Sequence, residues 1–177
     1  MIEMPQIVSP HMEVQPASER ALQFIIARLR DLDKRELIAT GATLADLPTI
    51  IMEHSVFAFC AVDQLGLPQA AWGMSYQRHG VGAGWAFGTN HWGKALPCMV
   101  RNIRHWVLPY LLRMNFHRVE ASALAHRKDV ERFMRLIGAQ PEAVLRQWGG
   151  GGEDFTLYRW LADEHRASTA YARHVSH

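Results

Sequence analysis

The spacing of apolar and polar residues predicts three helices in the first third of the chain. Within the first of them, apolar residues recur at intervals of three and four, which is typical of one helical face. The predicted helices span Glu19–Arg30, Asp31–Ala39 and Leu44–Glu53. Gly41 is expected to end the second helix and Thr43 to cap the third. Upstream of these helices, Gln6–Ser9 is predicted to form a short strand.

The middle of the chain changes to shorter apolar runs separated by turn residues, which predicts a three-stranded meander. Its strands span Ser55–Val62, Gln69–Tyr76 and the apolar run that ends at Phe87. One long amphipathic helix, Lys94–Met114, follows, with Pro97 in its first turn. Because an interior proline cannot donate the helical hydrogen bond, Pro109 is expected to kink this helix.

The last third of the chain predicts a strand, a helix and two final strands. In order, they span Arg118–Leu124, Asp129–Ile137, Ala143–Gln147 and Phe155–Trp160. A glycine run, Gly149–Gly152, is expected to join the last two strands as a hairpin loop. Residues 162–177 are polar and without a period, so a flexible tail is predicted after a single domain that covers residues 1–161.

Composition places the chain in a broad class. Of the 177 residues, 49% are hydrophobic and 20% are charged, which is typical of one globular domain. The net charge is +2 and no dense basic run occurs, so nucleic-acid binding is not favoured.

The two cysteines, Cys60 and Cys98, lie in apolar patterns, which favours buried thiols in a reducing compartment. We find neither a signal-peptide pattern nor an apolar run near the roughly 20 residues of a membrane span, so a soluble intracellular protein is expected. The histidines show no metal-binding spacing, and no metal is predicted.

A strand–turn–helix unit lies at the centre of the pattern. The apolar run Gly84–Gly88 is followed by a glycine-bearing turn, Thr89–Ala95, and then by the long helix. The first N–H groups of a helix lack helical partners and lie at the positive end of its dipole. The unit can therefore hold a phosphorylated cofactor, although a turn with one glycine also occurs without any ligand. Within the turn, His91 and Lys94 either contact phosphate or are simply exposed to solvent.

The order of the predicted elements resembles the GCN5-related N-acetyltransferase (GNAT) fold from about Ser55 to Leu161. Members carry a Gln/Arg-x-x-Gly-x-Gly/Ala pattern between the fourth strand and the next helix. Here the corresponding run is Asn90–Ala95, in which Gly93 and Ala95 match and Asn90 departs from the usual Gln or Arg. The resemblance implies an α+β fold with a mixed central sheet of six to seven strands flanked by helices. It also implies that acetyl-CoA or free coenzyme A is bound. The residues expected to contact it are Phe87, Gly88, Thr89, Asn90, His91, Trp92, Gly93, Lys94, Ala95, His126 and Phe133.

Two positions depart from a second pattern of the family, Asn-x-x-Ala-x-x-x-Tyr. His126 stands in place of the Asn, and Phe133 stands in place of the Tyr that many members use as a general acid toward the departing thiolate. Because phenylalanine has no proton to give, either catalysis is lost or another residue supplies the acid.

Two side chains are candidates for the base that takes a proton from the attacking amine. Glu120 on the predicted fifth strand faces the cleft if that strand splays from its neighbour; otherwise it pairs with Arg118 or Arg146 on a solvated face. His54, at the end of the third helix, is the other candidate, because histidine is the residue type that most often exchanges a proton in catalysis. The alternative for His54 is a histidine at a helix C-terminus that is favoured by the dipole.

Two function classes follow from this resemblance. The first is an N-acetyltransferase that moves an acetyl group from acetyl-CoA to an amine on a protein or a small molecule. The second is a non-catalytic GNAT-fold protein that binds a phage or host protein. A narrower resemblance, to small GNAT-like proteins of tailed phages, rests on Gly84–Thr89, Arg132–Ala139 and Gly152–Tyr158. It implies a phage or prophage source, and either a cytoplasmic location in a bacterial host or a place inside the virion.

Overall fold

The computed structural model describes residues 11–167 and contains a seven-stranded sheet with helices on both faces. Strands β1 to β7 span Met12–Pro16, Ser55–Asp63, Pro68–Arg78, Val81–Gly88, Arg118–Leu124, Gln140–Leu145 and Phe155–Leu161. Helices α1 to α6 span Glu19–Ile26, Asp31–Ala39, Leu47–His54, Trp92–Asn102, Leu108–Arg113 and Lys128–Leu136. A π-helical turn, Ile103–Val107, joins α4 to α5.

The sheet is mixed, with strand order β1-β2-β3-β4-β5-β7-β6. Neighbouring strands pair antiparallel, except for the parallel pair of β4 and β5 at the centre. The chain reaches this parallel pair through α4 and α5, since parallel strands need a long crossover connection. The predicted fold class, a mixed sheet of six to seven strands flanked by helices, is confirmed.

Each face of the sheet is covered by a different set of helices. On one face, Leu22 and Ile25 of α1 and Ile51 of α3 pack against strand residues that include Phe87. On the other face, α4, α5 and α6 pack their apolar residues on the sheet and on one another. Successive strand residues point to opposite faces, so these two layers divide the side chains of every central strand.

The long predicted helix is interrupted where its sequence requires it. The Leu108 N–H donates to the Ile103 carbonyl five residues earlier, which widens the helix immediately before Pro109. An ordinary helix would press the Pro109 ring against the carbonyl of residue 105, and the wider turn relieves that clash. The helix begins at Trp92, two residues earlier than predicted. Pro97 is therefore inside the helix and not in its first turn.

Several element boundaries differ from the sequence-based expectation. Strand β1, Met12–Pro16, was not predicted, because only Met12 and Val14 point inward and its other residues are polar or proline. The strand predicted at Gln6–Ser9 lies outside the described residues. Helix α1 ends at Ile26 instead of Arg30, and β6 begins at Gln140, three residues early.

The end of the chain also departs from the prediction. Residues 162–167 are helical and Ala162 is buried, whereas a flexible tail was predicted from residue 162. The rest of that predicted tail lies outside the described residues. Among the described residues, none of the helices combines the length and apolar character needed to span a membrane.

Both cysteines are buried and unbridged, as predicted. Burial raises the pKa of the Cys60 thiol, and that of the Cys98 thiol, to about 11. At neutral pH both side chains are therefore neutral thiols in the core.

Candidate functional site

The central parallel pair opens into a gap. Strands β4 and β5 pair at only three positions, and the last of these joins Ala83 to Glu120. Beyond it, β4 continues to Gly88 along β3, while β5 continues to Leu124 along β7. The edges of β4 and β5 that face each other past this point therefore carry backbone groups without ladder partners, and such groups need other hydrogen bonds when they are buried.

The gap leads into a cavity of about 360 Å³ that reaches both faces of the sheet. Apolar side chains from the central strands and from helices on both faces of the sheet form most of its wall, and Arg30, Asp33, Glu36 and Arg127 contribute charges. A mostly apolar cavity with a few convergent polar groups is the usual form of a small-molecule site.

Part of the predicted cofactor turn is a structural network. Thr89 is buried; its hydroxyl donates to Gln69 Oε1 at 2.7 Å and accepts from the His91 N–H at 3.1 Å. A ring nitrogen of His91 lies 3.1 Å from the same Gln69 oxygen. The Trp92 N–H donates to the Thr89 carbonyl at 3.0 Å. The groups of Thr89, His91 and Trp92 that form these bonds hold the turn against β3 and are not free for a ligand.

The outer side of the same turn is open. Asn90, Gly93 and Lys94 are exposed, whereas Ala95 is buried beneath them. A Cβ added at Gly93 would meet no atom within 4 Å, and within residues 11–167 the Gly93 N–H has no backbone acceptor. The N-terminus of α4 thus offers a free donor, the positive dipole end and one lysine to an anion.

Gly88 has a packing explanation. A Cβ at this position would come within 2.9 Å of both the Gln69 carbonyl oxygen and the Trp92 ring. The Gly88 N–H donates to Asp33 Oδ2 at 2.8 Å, so this predicted cofactor contact is already hydrogen-bonded within the protein. Phe87 is also predicted to contact the cofactor; it lines the cavity but is buried against the α1–α3 layer.

Helix α2 spans the open end of the gap with two carboxylates. Asp33 binds the Gly88 N–H at the end of β4, and Glu36 Oε2 accepts from the Leu124 N–H at the end of β5 at 2.9 Å. Arg127 connects them: one of its nitrogens lies 2.9 Å from Asp33 and another lies 2.9 Å from Glu36. We call Asp33, Glu36 and Arg127 the α2 bridge.

Two further charges support the α2 bridge. Asp129 lies 2.7 Å from Arg127 and 3.0 Å from Arg30, and Arg30 lies 2.7 Å from Asp33. Burial alone would lower the pKa of Arg127, but the hydrogen bond to Asp129 and the charges of Glu36 and Asp33 raise it overall. The guanidinium is therefore permanently charged although its side chain is only 5% exposed.

The carboxyl groups of Glu36 and Asp129 respond differently to this environment. Burial raises the pKa of Glu36 above its ordinary 4.5, in spite of the opposing charge of Arg127. For Asp129, burial acts in the same direction, but the hydrogen bond and charge of Arg127 outweigh it and lower its pKa. Of Glu36 and Asp129, Glu36 is therefore the carboxyl whose pKa is shifted toward the neutral range.

The structure places Phe133 in the cavity and His126 outside it. Phe133 is buried, lines the cavity and meets the Trp92 ring edge to face at 5.6 Å, which joins α6 to the N-terminus of α4. His126 is exposed in the turn after β5, with a φ of 66°. Among the described residues, those that line the cavity do not include His126.

The two predicted bases do not line the cavity. Glu120 Oε1 lies 2.6 Å from Arg118 Nε and 3.9 Å from Arg78 Nη2, which matches the alternative of a paired carboxylate. His54 ends α3 with its side chain 70% exposed, 3.9 Å from Glu53. Neither Glu120 nor His54 therefore lies at the cavity, where a base for the attacking amine would be needed.

Sequence reasoning missed the four charged residues that line the cavity, Glu36 among them, and it also missed Tyr158. The role of Glu36 was missed because the sequence predicted only a helix over Asp31–Ala39, without any indication of what its side chains contact. Tyr158 lies in the strand predicted at Phe155–Trp160. Its alternation with Trp160 is the signal that could have identified it, since residues two apart in a strand share a face and a buried tyrosine hydroxyl usually needs a partner. Within residues 11–167, no group of His, Cys, Asp or Glu is arranged to hold a metal ion.

No family model and no curated protein matches the sequence of this chain. Solved structures do match it. A GNAT-family acetyltransferase from Bacillus anthracis aligns with a TM-score of 0.66 at 12% identity, over 89% of this chain and 99% of that one. A chimera of the spermidine N-acetyltransferase SpeG from Vibrio cholerae with hSSAT aligns with a TM-score of 0.62 at 14% identity, over 86% and 96%.

A third solved structure contains a ligand. The acetyltransferase yncA from Salmonella typhimurium, solved with acetyl-CoA, aligns with a TM-score of 0.61 at 13% identity, over 87% of this chain and 95% of that one. At these identities the likeness concerns the backbone arrangement. The chain therefore has the fold of the GNAT acetyltransferases.

Proposed function

We propose that this protein is an N-acetyltransferase that moves an acetyl group from acetyl-CoA to an amine. The observation that carries the proposal is the separation of β4 and β5 after three residue pairs, beside the open N-terminus of α4. One solved neighbour with this fold was crystallised with acetyl-CoA, and another is a spermidine N-acetyltransferase.

The residues present fit the donor at the turn. The free N–H of Gly93, the dipole of α4 and Lys94 would hold its phosphates, with Asn90 exposed beside them. The unpaired edge of β4 from Gly84 onward would offer hydrogen bonds to the amide-bearing arm, as a neighbouring strand would. When bound, acetyl-CoA supplies an activated acetyl group as a thioester.

The chain must also provide a base for the amine proton. We place Glu36 in this role, because it lines the cavity, its Oε2 is held by Leu124 and Arg127, and burial raises its pKa. A carboxyl with a raised pKa is better matched to proton transfer near neutral pH. Glu120 and His54, the bases suggested by the sequence, would need to leave their present surroundings to act.

Titration of acetyl-CoA into the purified chain by calorimetry tests the proposal. We expect micromolar affinity, about −8 kcal/mol, and loss of that affinity in Gly93→Glu, which sets a carboxylate in the open space at the turn. Gly93→Gln is the matched control, since it has the same size without the charge and should bind more tightly than Gly93→Glu. Equal binding by all three proteins would show that the phosphates lie elsewhere.

The acceptor is proposed only as an amine. Spermidine and a lysine peptide represent the small-molecule and protein classes, and release of the CoA thiol with each would show which class reacts. Glu36→Gln should lower the rate by at least about 100-fold with the better acceptor, as expected for a lost general base. If Glu36→Gln kept the wild-type rate, Glu36 would not be the base, and Glu120 and His54 would remain as the candidates.

A second candidate function is a non-catalytic binding protein on this scaffold. Two observations favour it: the α2 bridge occupies the N–H groups at the open end of the gap, and Phe133 cannot act as an acid. The narrower resemblance to phage proteins belongs to this candidate, with a phage or host protein as the partner. The solved structures named above do not support the phage subgroup. Absence of acetyl-CoA binding at millimolar concentration would favour this candidate.

A further inference from the structure

Tyr158 lies where the gap between β4 and β5 begins. It pairs across β7 and β5 with Ala121, the residue that follows Glu120, and Glu120 forms the last pair with β4. Tyr158 and Ala121 both line the cavity. In the core on the α4–α6 face, Tyr158 belongs to the same cluster as Phe133.

The hydroxyl of Tyr158 has no hydrogen-bond partner within residues 11–167. The side chain is 6% exposed, and no hydrogen bond joins its hydroxyl to the described residues. The sealed, unpartnered side-chain polar atoms of residues 11–167 belong to Ser55 and to four tryptophans, so the Tyr158 hydroxyl still reaches open space. A tyrosine O–H without a protein partner in a mostly apolar cavity wall needs a water molecule or a ligand to complete its hydrogen bonding.

The charges around Tyr158 keep it protonated. Burial raises its pKa, and the carboxylates of Glu131, Glu36 and Asp129 add to that effect. The group therefore presents a proton donor throughout the neutral and moderately alkaline range, in which amines become nucleophilic.

We propose that Tyr158 is the proton donor to the departing thiolate, in place of the tyrosine that Phe133 replaces. This inference rests on the proposed function. The distance along β4 from the turn at Gly88 back to Ala83 is about 17 Å, at roughly 3.3 Å per residue. A donor held by its phosphates at that turn and extended along the gap would thus bring its thioester end toward Tyr158.

The proton and electron balance of the step is complete. The amine nitrogen forms a bond to the acetyl carbon, and the carbon–sulfur bond breaks with its electron pair on sulfur. Tyr158 transfers its hydroxyl proton to that sulfur, which leaves as a thiol. The amine nitrogen loses one proton to Glu36, and that proton returns through the cavity to the phenolate of Tyr158.

Tyr158→Phe removes only the hydroxyl, and Tyr110→Phe is the matched control, because Tyr110 stacks on Trp106 and is not part of the cavity wall. The readout that does not depend on turnover is the ratio of the dissociation constants of desulfo-CoA and CoA, measured by calorimetry at alkaline pH. We expect the wild type and Tyr110→Phe to prefer CoA by about tenfold, as a hydrogen bond to a charged group contributes. Tyr158→Phe should bind both ligands with a ratio near one.

Kinetics provides the second readout. With acetyl-CoA and spermidine or a lysine peptide, we expect kcat of Tyr158→Phe to fall by about 100-fold with little change in the KM for acetyl-CoA. If Tyr158→Phe keeps the wild-type ratio of dissociation constants and the wild-type kcat, the role of Tyr158 is overturned while the proposed function stands. If the wild type binds neither CoA nor acetyl-CoA, both fail.

Discussion

At the scale of single residues, Arg127 has the most demanding environment among the site residues. Its guanidinium lies within 2.9 Å of Asp33, Glu36 and Asp129 and is almost completely shielded from water. Removing one partner of a buried ion pair leaves the others uncompensated, which costs more than the pair itself contributes. Arg127 is therefore where a single substitution should disturb the site most.

We expect Arg127→Met to lower the free energy of unfolding by about 3–5 kcal/mol. The control is Arg135→Met, because Arg135 is 74% exposed and its ion pair within residues 11–167 is with Glu131 on the same helix. That surface pair should be worth less than about 1 kcal/mol. Urea denaturation of both variants measures the difference, and equal midpoints would contradict a structural role of the α2 bridge.

The pH dependence of stability should reveal the two carboxyl environments. Asp129 has a lowered pKa in the folded state, so it adds stability above its ordinary value of 3.8, and this contribution is lost as the pH falls through the folded pKa. Glu36 has a raised pKa, so its contribution is largest in acid and is lost as the pH rises above its ordinary value of 4.5.

Asp129→Asn tests this assignment. We expect the variant to unfold at a lower urea concentration than the wild type at neutral pH, and the two midpoints to converge as the pH falls through the lowered pKa of Asp129, below which both side chains are uncharged. A difference between the midpoints that stayed constant down to acid pH would mean that Asp129 acts through packing and not through its charge.

At the scale of elements, the sequence predicted what local rules determine. The meander, the helix after Gly93 and the disturbance near Pro109 follow from apolar periodicity and proline geometry within a few residues. The α2 bridge could not be predicted in this way, because Arg127 and Asp33 are 94 residues apart in the chain. Nothing in the polar pattern of α2 distinguishes a carboxylate bound to a distant arginine from one exposed to water. The same limit applies to Glu120, whose partners were left open by the sequence.

Helix α4 gives the prediction at this scale. Pro97 is exposed and lies inside the helix, where its missing N–H leaves the Gly93 carbonyl without a helical partner. A proline in a helix interior costs about 3 kcal/mol relative to alanine. We expect Pro97→Ala to stabilise the protein by about 1–3 kcal/mol, as a higher Tm in thermal unfolding. An unchanged or lower Tm would mean that α4 is already adapted to the proline.

At the scale of the whole molecule, the sheet consists of two parts joined by few contacts. Strands β1 to β4 form one antiparallel part, and β5, β7 and β6 form the other. The two parts are connected by three residue pairs between β4 and β5, by the helices and by the α2 bridge. A ligand in the gap would lie between the two parts, so the strength of the α2 bridge bears directly on how readily the gap admits one.

Hydrogen exchange can measure that strength. The amides of Gly88 and Leu124 both donate to carboxylates of α2, so their protection depends on a closed bridge. In Arg127→Met, we expect these two amides to exchange at least about tenfold faster relative to the amide of Ala71, which lies in the fully buried centre of β3. Acceleration of all three by the same factor would mean that the α2 bridge opens only when the whole protein unfolds. Addition of acetyl-CoA to the wild type distinguishes two cases. If acetyl-CoA displaces the bridge carboxylates, the exchange protection of Gly88 and Leu124 should change before that of Ala71. If the bridge stays closed around the bound donor, the protection should change only at the amides of the turn at Gly93.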